Sequence, residues 1–348
     1  MKIPTIHDTL VVLVAGICIM PGRSCAADPQ PAAAAPPAPA EYPLDPTTKG
    51  FTCVFMGHSF FYRVANDLEK VAIGSGFTEH KQVVRVAHGI EGTPGWLWAH
   101  VGPKEEARRI LQEEKVDLLA ISYHGRSADQ CRIEDYSKWI DLAREKNPDI
   151  MFAIGISWAG LYDPNITAEQ YAAIYPRVAA PIYALIDQLR EKYPHNAIFA
   201  IPHGKGVFEL YTRYKAGDLP EIKTLIRSGK EPANDCFFLD TTCHAGPMAL
   251  AVTRLIFMAT IYQTDPRKSP WPSGFKADAI LKQIAYDAVK GEPYARIVKG
   301  EQPANPAPPG QSPLPVRKAN TKSSFLIGTI PAGDRPGRDI RTRERDAQ

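Results

Sequence analysis

The chain has few cysteines, little net charge and no long uninterrupted apolar run. Its six cysteines among 348 residues form no Cys-x-x-Cys pair and no His/Cys grouping at zinc-site spacing, so no metal site is expected. A formal charge of +3 is too small to argue for nucleic acid. Much of the basic excess sits in one terminal cluster: Arg335, Arg338, Arg341, Arg343 and Arg345. The apolar stretch from Thr9 to Met20 falls short of the roughly 20 residues that span a bilayer. There is no internal repeat. Against these absences, hydrophobic content of 44% and charged content of 23% are ordinary for a globular protein.

Composition divides the chain into four parts. Residues 1–27 read as a secretory leader: Lys2 in the n-region, Thr9 to Met20 as the apolar segment, and Ser24-Cys25-Ala26-Ala27 as small residues for cleavage. The expectation is an exported protein, periplasmic or extracellular, with no stable membrane span once the leader is removed. Residues 28–46 are a Pro/Ala-rich linker that cannot bury a core. Residues 301–348, Pro-rich and then Arg-rich, read as a disordered tail. Residues 47–300 remain for one α/β domain. Past the leader, Cys53, Cys131, Cys236 and Cys243 allow three full disulfide pairings, and the sequence does not choose among them. Cys53, in a buried strand, reads as a small apolar filler.

Within 47–300 strands alternate with helices. Strands are expected at Phe51 to Met56, Lys81 to Ala87, Val116 to Ser122, Ile150 to Ile156 and Ala197 to Ile201, with a short strand-like run at Cys236 to Asp240. Helices are expected at Phe60 to Ala72, Pro103 to Lys115, Ile133 to Lys146, Thr167 to Tyr193 (bent at Pro176 or Pro181), Gly206 to Tyr214, Leu219 to Arg227, Ala245 to Tyr262 and Lys276 to Lys290. The runs of apolar residues without alternation, such as Val116-Asp-Leu-Leu-Ala-Ile-Ser122, are those of strands buried on both faces. Right-handed βαβ units then give one parallel sheet with helices on both sides.

Such sheets bind ligands beyond the carboxyl ends of their strands. Ser59, the loop from Gly89 to Gly95, the loop from His124 to Ser127, Trp158, His203 and the loop from Asp240 to His244 all fall there. Ser59 follows Gly57 at a strand-to-helix turn, a position that exposes its hydroxyl; the plain alternative is a helix cap. A serine hydroxyl needs a base to take its proton, and an imidazole oriented by a carboxylate does this near neutral pH. Asp240 and His244 supply both from one segment. His203 reads either as a substrate contact or base, or as a turn histidine. Trp96, Trp98 and Trp158 read either as aromatic faces for a sugar ring or as packing residues. Asn165-Ile-Thr167 is a glycosylation sequon.

These segments, in this order, resemble the SGNH, or GDSL-like, hydrolases. Gly57-His58-Ser59 is similar to the family's Gly-Asp-Ser block, Gly89-Ile-Glu-Gly92 to its second glycine block, and Asp240 to His244 to its final Asp-x-x-His block. The resemblance implies a flavodoxin-like three-layer sandwich around a central parallel sheet. It also implies an esterase with Ser59 as nucleophile, His244 as base and Asp240 as the orienting acid. The oxyanion would be held by the Ser59 and Gly92 N–H groups and a third-block side chain. Three departures stand out. His58 replaces the aspartate of the first block. Asp240 precedes His244 by four residues rather than three, so either the loop takes in an extra residue or another acid serves, with Asp235 the fallback. His124-Gly-Arg-Ser127 stands where Gly-x-Asn-Asp is expected, leaving Arg126 or His124 as the third donor. The expected substrate is a small-molecule or carbohydrate ester, with no cofactor. The alternative is a degenerate scaffold of this fold that binds a glycan or another cell-envelope component without hydrolysing it.

Overall fold

The computed structural model of the protein describes residues 49–102, 105–125, 129, 131–160, 163 and 165–296. The leader (1–27), the linker (28–46) and the tail (301–348) lie outside them. In chain order the elements are β1 (Thr52–Gly57), α1 (Ser59–Ala65), α2 (Leu68–Gly74), β2 (Lys81–Val86), α3 (Pro94–His100), α4 (Glu106–Glu113), β3 (Leu118–Ser122), α5 (Ile133–Lys146) and β4 (Met151–Gly155). There follow α6 (Ala168–Ala172), α7 (Tyr175–Lys192), β5 (Ile198–Ile201), α8 (His203–Ala216), β6 (Thr224–Ile226), β7 (Cys236–Phe238), α9 (Pro247–Tyr262) and α10 (Asp278–Lys290).

Five parallel strands form the central sheet in the order β2-β1-β3-β4-β5. This is the flavodoxin-like order, with its switch point between β1 and β3. Handedness then assigns the layers. The chain steps one way from β1 to β2 and the other way across the rest, so right-handed crossovers put α1 and α2 on one face and α3, α4, α5 and α7 on the other. The packing agrees: α9 lies against α1, α2, α8 and α10, while α5 lies against α3, α4 and α7. The result is the expected three-layer α/β sandwich. Strands β3, β4 and β5 are buried at every position, as continuous apolar runs require. Helix α9 is apolar nearly all round, and all but two of its residues, Pro247 and Arg254, are buried; it is a core element rather than a surface helix. Among the described residues no helix is long and apolar enough to cross a membrane. Cys53, Cys131, Cys236 and Cys243 are all buried free thiols.

Three expectations are corrected, and one helix was not foreseen. The helix expected over 60–72 is two helices, broken at Asn66 and Asp67, polar residues whose side chains compete with helical hydrogen bonding. The segment 219–227 is not a helix. Its β-branched end pairs with β7 as a separate two-stranded parallel sheet, so tertiary pairing decides its state. The run from Cys236 is accordingly not part of the central sheet. The stretch after the glycine loop is helix α3, started by Pro94 in its first turn, where a missing N–H costs nothing.

The base of β1 is tied to the far end of α9. The Phe51 amide donates to the Tyr262 hydroxyl at 3.0 Å, and that hydroxyl lies 2.6 Å from His80 Nδ1. Phe51 and Phe77 stack on the Tyr262 ring with centroids 4.9 and 3.8 Å away. Tyr262→Phe keeps the stack and strands two polar groups, so it should lower unfolding stability by about 1–3 kcal/mol, read as a shift in urea midpoint at constant slope.

Candidate active site

The site begins where β1 ends. A side chain on Gly57 would collide with the hydroxyl of Ser122, the last residue of β3. The His58 amide donates to that same Ser122 Oγ at 3.1 Å. The chain then enters α1 with His58 as its N-cap. Here the imidazole does what Asp or Ser usually does: Nδ1 accepts from the Phe60 amide at 3.3 Å. With Nδ1 accepting, Nε2 carries the proton and donates to the Tyr123 carbonyl at 3.1 Å. His58 is buried, and burial, then the neighbouring His124, lower its pKa to about 4. It is a neutral structural bracket between the α1 entry and the end of β3.

Ser59 is the first residue of α1. Its backbone N–H has no acceptor among the described residues, as expected for the orphan donors of a first helical turn. Gly92 ends the short turn Gly89–Gly92. A Cβ there would lie 2.6 Å from the His58 Cα and 2.7 Å from the Gly57 carbonyl carbon, so only glycine allows this loop to lie against the entry to α1. His124 meets the His58 ring edge to face at 5.2 Å. Arg126 lies outside the described residues.

From the other end of the chain, the loop after β7 supplies the remaining groups. His244 Nε2 lies 2.8 Å from Ser59 Oγ, and His244 Nδ1 lies 2.6 Å from Asp240 Oδ2. Both are within the reach that proton transfer needs. The four-residue spacing is absorbed by a tight loop. Cys243 N–H donates to the Asp240 carbonyl at 3.0 Å, and Cys243 takes a left-handed φ of 65°, unusual for a residue with a side chain. Asp240 Oδ1 receives the amides of Thr242 and His244 at 3.0 and 3.2 Å and the Thr242 hydroxyl at 2.6 Å. Partial burial pushes the Asp240 carboxyl up; the bonds from Thr242 and His244 outweigh this and hold it below its ordinary value. Asp235, the fallback acid, is paired with Lys223 at 2.7 Å.

Thr242 is the member that sequence reasoning missed. Its hydroxyl also lies 2.9 Å from His244 Nδ1, so it braces both partners. The signal was available, since it stands between the aspartate and the histidine.

The remaining candidates separate. His203 is fully buried, bonded through Nε2 to Ser157 Oγ and through Nδ1 to the Ile201 carbonyl, both at 3.1 Å. Burial lowers its pKa to about 3. It is a core histidine and neither a base nor a substrate contact. Trp98 packs against Trp139 at 5.0 Å with the Arg108 guanidinium 4.3 Å over its ring, so it is not a sugar wall. Trp158 is buried, with Phe60 stacked on it. Trp96 stacks on His100 at 4.0 Å and borders a shallow cleft of about 280 Å³ with Gly95, Asp129, Arg132 and Asp135. Among the described residues no group of three or more His, Cys, Asp or Glu side chains could hold a metal.

Two of the three buried histidines, His58 and His203, set an acid limit on stability. Both have folded pKa values below the ordinary 6.5, so the unfolded chain binds more protons. Stability is therefore full above 6.5 and falls as pH drops toward 4, by about 1.4 kcal/mol per pH unit per histidine. His58→Asn keeps a capping side chain and removes one of these protons. Urea midpoints at about pH 6 and about pH 4.5 should then converge by up to half of the wild-type difference that these two histidines cause.

No family profile matches the chain, and no curated protein matches it. Solved structures similar to the chain include the following two. One is a DUF4886 family protein from Bacteroides uniformis, 11% identical with a TM-score of 0.48, covering 69% of this chain and 95% of that one. The other, described as a candidate SGNH hydrolase from Slackia heliotrinireducens, is 12% identical with a TM-score of 0.39, covering 61% of this chain and 100% of that one. Both likenesses are distant and say nothing of chemistry.

Proposed function

We propose that the protein is an exported serine hydrolase that cleaves esters. The observation that carries this reading is the continuous chain of hydrogen bonds from Ser59 Oγ through the His244 ring to Asp240. Ser59 Oγ attacks the acyl carbon as His244 Nε2 takes its proton. Asp240 accepts from Nδ1–H and stabilises the imidazolium that forms. The oxyanion is held by the N–H groups of Ser59 and Gly92, with His124 or Arg126 as third donor. His244 returns the proton to the leaving alcohol, and an acyl-serine remains. Water, deprotonated by His244, then attacks the acyl carbon, and the acid leaves as Ser59 recovers its proton.

The alcohol half of the ester is a carbohydrate or glycoconjugate in this reading. Its support is the cleft beside α3, which presents one aromatic stack, two carboxylates and a guanidinium. Aromatic faces suit the apolar side of a sugar ring, and carboxylates accept from its hydroxyls. Gly95 on the cleft wall is three residues from Gly92, a chain path of at most about 11 Å. A second reading, binding of a glycan without turnover, draws on one feature. His124-Gly-Arg-Ser127 offers no amide side chain to the oxyanion, and loss of one such donor costs roughly 10²–10³ in turnover.

Turnover of p-nitrophenyl acetate and labelling by a fluorophosphonate test the reading. Ser59→Ala should abolish labelling and lower kcat by about 10³-fold or more, and Asp240→Asn should lower it by about 10²- to 10⁴-fold. Equal labelling of wild type and Ser59→Ala would rule out Ser59 as nucleophile. An unlabelled, inactive wild type that still binds oligosaccharide would support the second reading. For the substrate class, Trp96→Ala should reduce kcat/KM on an acetylated oligosaccharide about tenfold while sparing p-nitrophenyl acetate. Equal losses on both substrates would remove the cleft from the reading.

A further inference from the structure

The loop that carries His244 is bonded within itself but lies partly at the surface. Thr241 and Thr242 are exposed, and the Asp240 side chain is 43% exposed. Cys243, just before His244, sits at φ 65°. A non-glycine residue in that region persists only where its surroundings hold it. One such hold comes from the central sheet. Trp158 follows β4 by three residues and is 3% exposed. Its indole N–H donates to the Cys243 carbonyl at 2.9 Å, across 85 residues of sequence.

The indole is itself clamped. Phe60 stacks on it at 4.7 Å with 7° between the planes. Phe60 in turn meets the His244 ring edge to face at 5.4 Å. Behind the indole's backbone, a Cβ on Gly204 would lie 2.5 Å from the Trp158 amide nitrogen, and the Gly204 amide donates to the Ile156 carbonyl at 2.7 Å. The Trp158 backbone therefore has little room to move, and its N–H points from a rigid strand end to the peptide that joins Cys243 to His244. The ring neighbouring the nucleophile and the peptide carrying the base are held by the same side chain.

We infer that Trp158 is the positioning residue of His244: its indole N–H and its stack on Phe60 keep the imidazole aligned between Ser59 and Asp240. It touches neither substrate nor the reacting atoms. The inference rests on the hydrolase reading for its kinetic consequence, but not for its structural one. A displacement of about 1 Å at a reacting group can cost 10²-fold in rate.

The test is Trp158→Phe, which keeps an aromatic face for Phe60 and removes the donor. Ser59→Ala and His244→Asn are measured beside it. Thermal unfolding, kcat and KM on p-nitrophenyl acetate, and the proton NMR signal of His244 Nδ1–H, assigned by its loss in His244→Asn, are recorded. The expected result is a cooperative melt, KM within about twofold, kcat lower by about 10- to 100-fold, and a broadened or shifted Nδ1–H signal. Unchanged kcat with Ser59→Ala inactive would overturn the inference while leaving the hydrolase reading intact. If Ser59→Ala retains wild-type turnover, the hydrolase reading fails, and the NMR signal alone decides: a sharp, unshifted Nδ1–H in Trp158→Phe overturns the positioning role. Should Trp158→Phe not fold, Phe60→Leu, which removes the stack and keeps the indole donor, should show the same kcat loss at constant KM, and its absence counts against the inference.

Discussion

The amide of His58 bonded to the hydroxyl of Ser122 is the contact on which the site depends. It fixes the point at which β1 stops being a strand. It also requires β1 and β3 to be neighbours, which the strand order makes them, and it requires Gly57, because a Cβ there has no room beside Ser122. A buried hydrogen bond of this kind contributes about 1 kcal/mol net, yet its geometric effect is larger than its energy. It aims the first turn of α1, and with it the Ser59 side chain, out of the sheet edge at the switch point where ligands of this topology bind.

Polar groups at that edge stay in place because they are bonded to one another inside a low-dielectric setting. His58, neutral and capped on both ring nitrogens, ties the end of β3 to α1. His203, beneath it, is bonded on both nitrogens to β5 and the end of β4. An aspartate at position 58 would carry a charge into the same pocket, while a neutral imidazole gives the cap and the cross-strand bond without one. His244 differs from both: it is 22% exposed and faces a hydroxyl on one side and a carboxylate on the other.

The site was partly legible because its two ends carry recognisable local patterns. An apolar run stopping at Gly57-His58-Ser59, and an aspartate and histidine bracketing a short loop before an apolar helix, are local features of residue type and spacing. What escaped was long-range. Trp158 meets Cys243 across 85 residues, and no local pattern encodes such a pair; the meeting of Ser59 with His244 across 185 residues was expected only from the order of the family-like blocks. The same holds for Trp98, whose two readings, sugar face or packing residue, are separated only by Trp139 and Arg108 beside it. Residues 224–226 became a strand only because β7 was there to pair with.

By itself the sequence determined the class of fold, since runs buried on both faces alternating with amphipathic helices leave few other packings. It also determined which residue types were present to do chemistry at the strand ends. Tertiary structure decided which of them meet. The extra residue between Asp240 and His244 could not be judged from spacing, because its effect depends on Cys243 adopting a left-handed conformation that a distant indole helps to hold. Backbone conformations that are locally unfavourable are stabilised by contacts formed late and from far away, and such contacts exist only in the folded molecule.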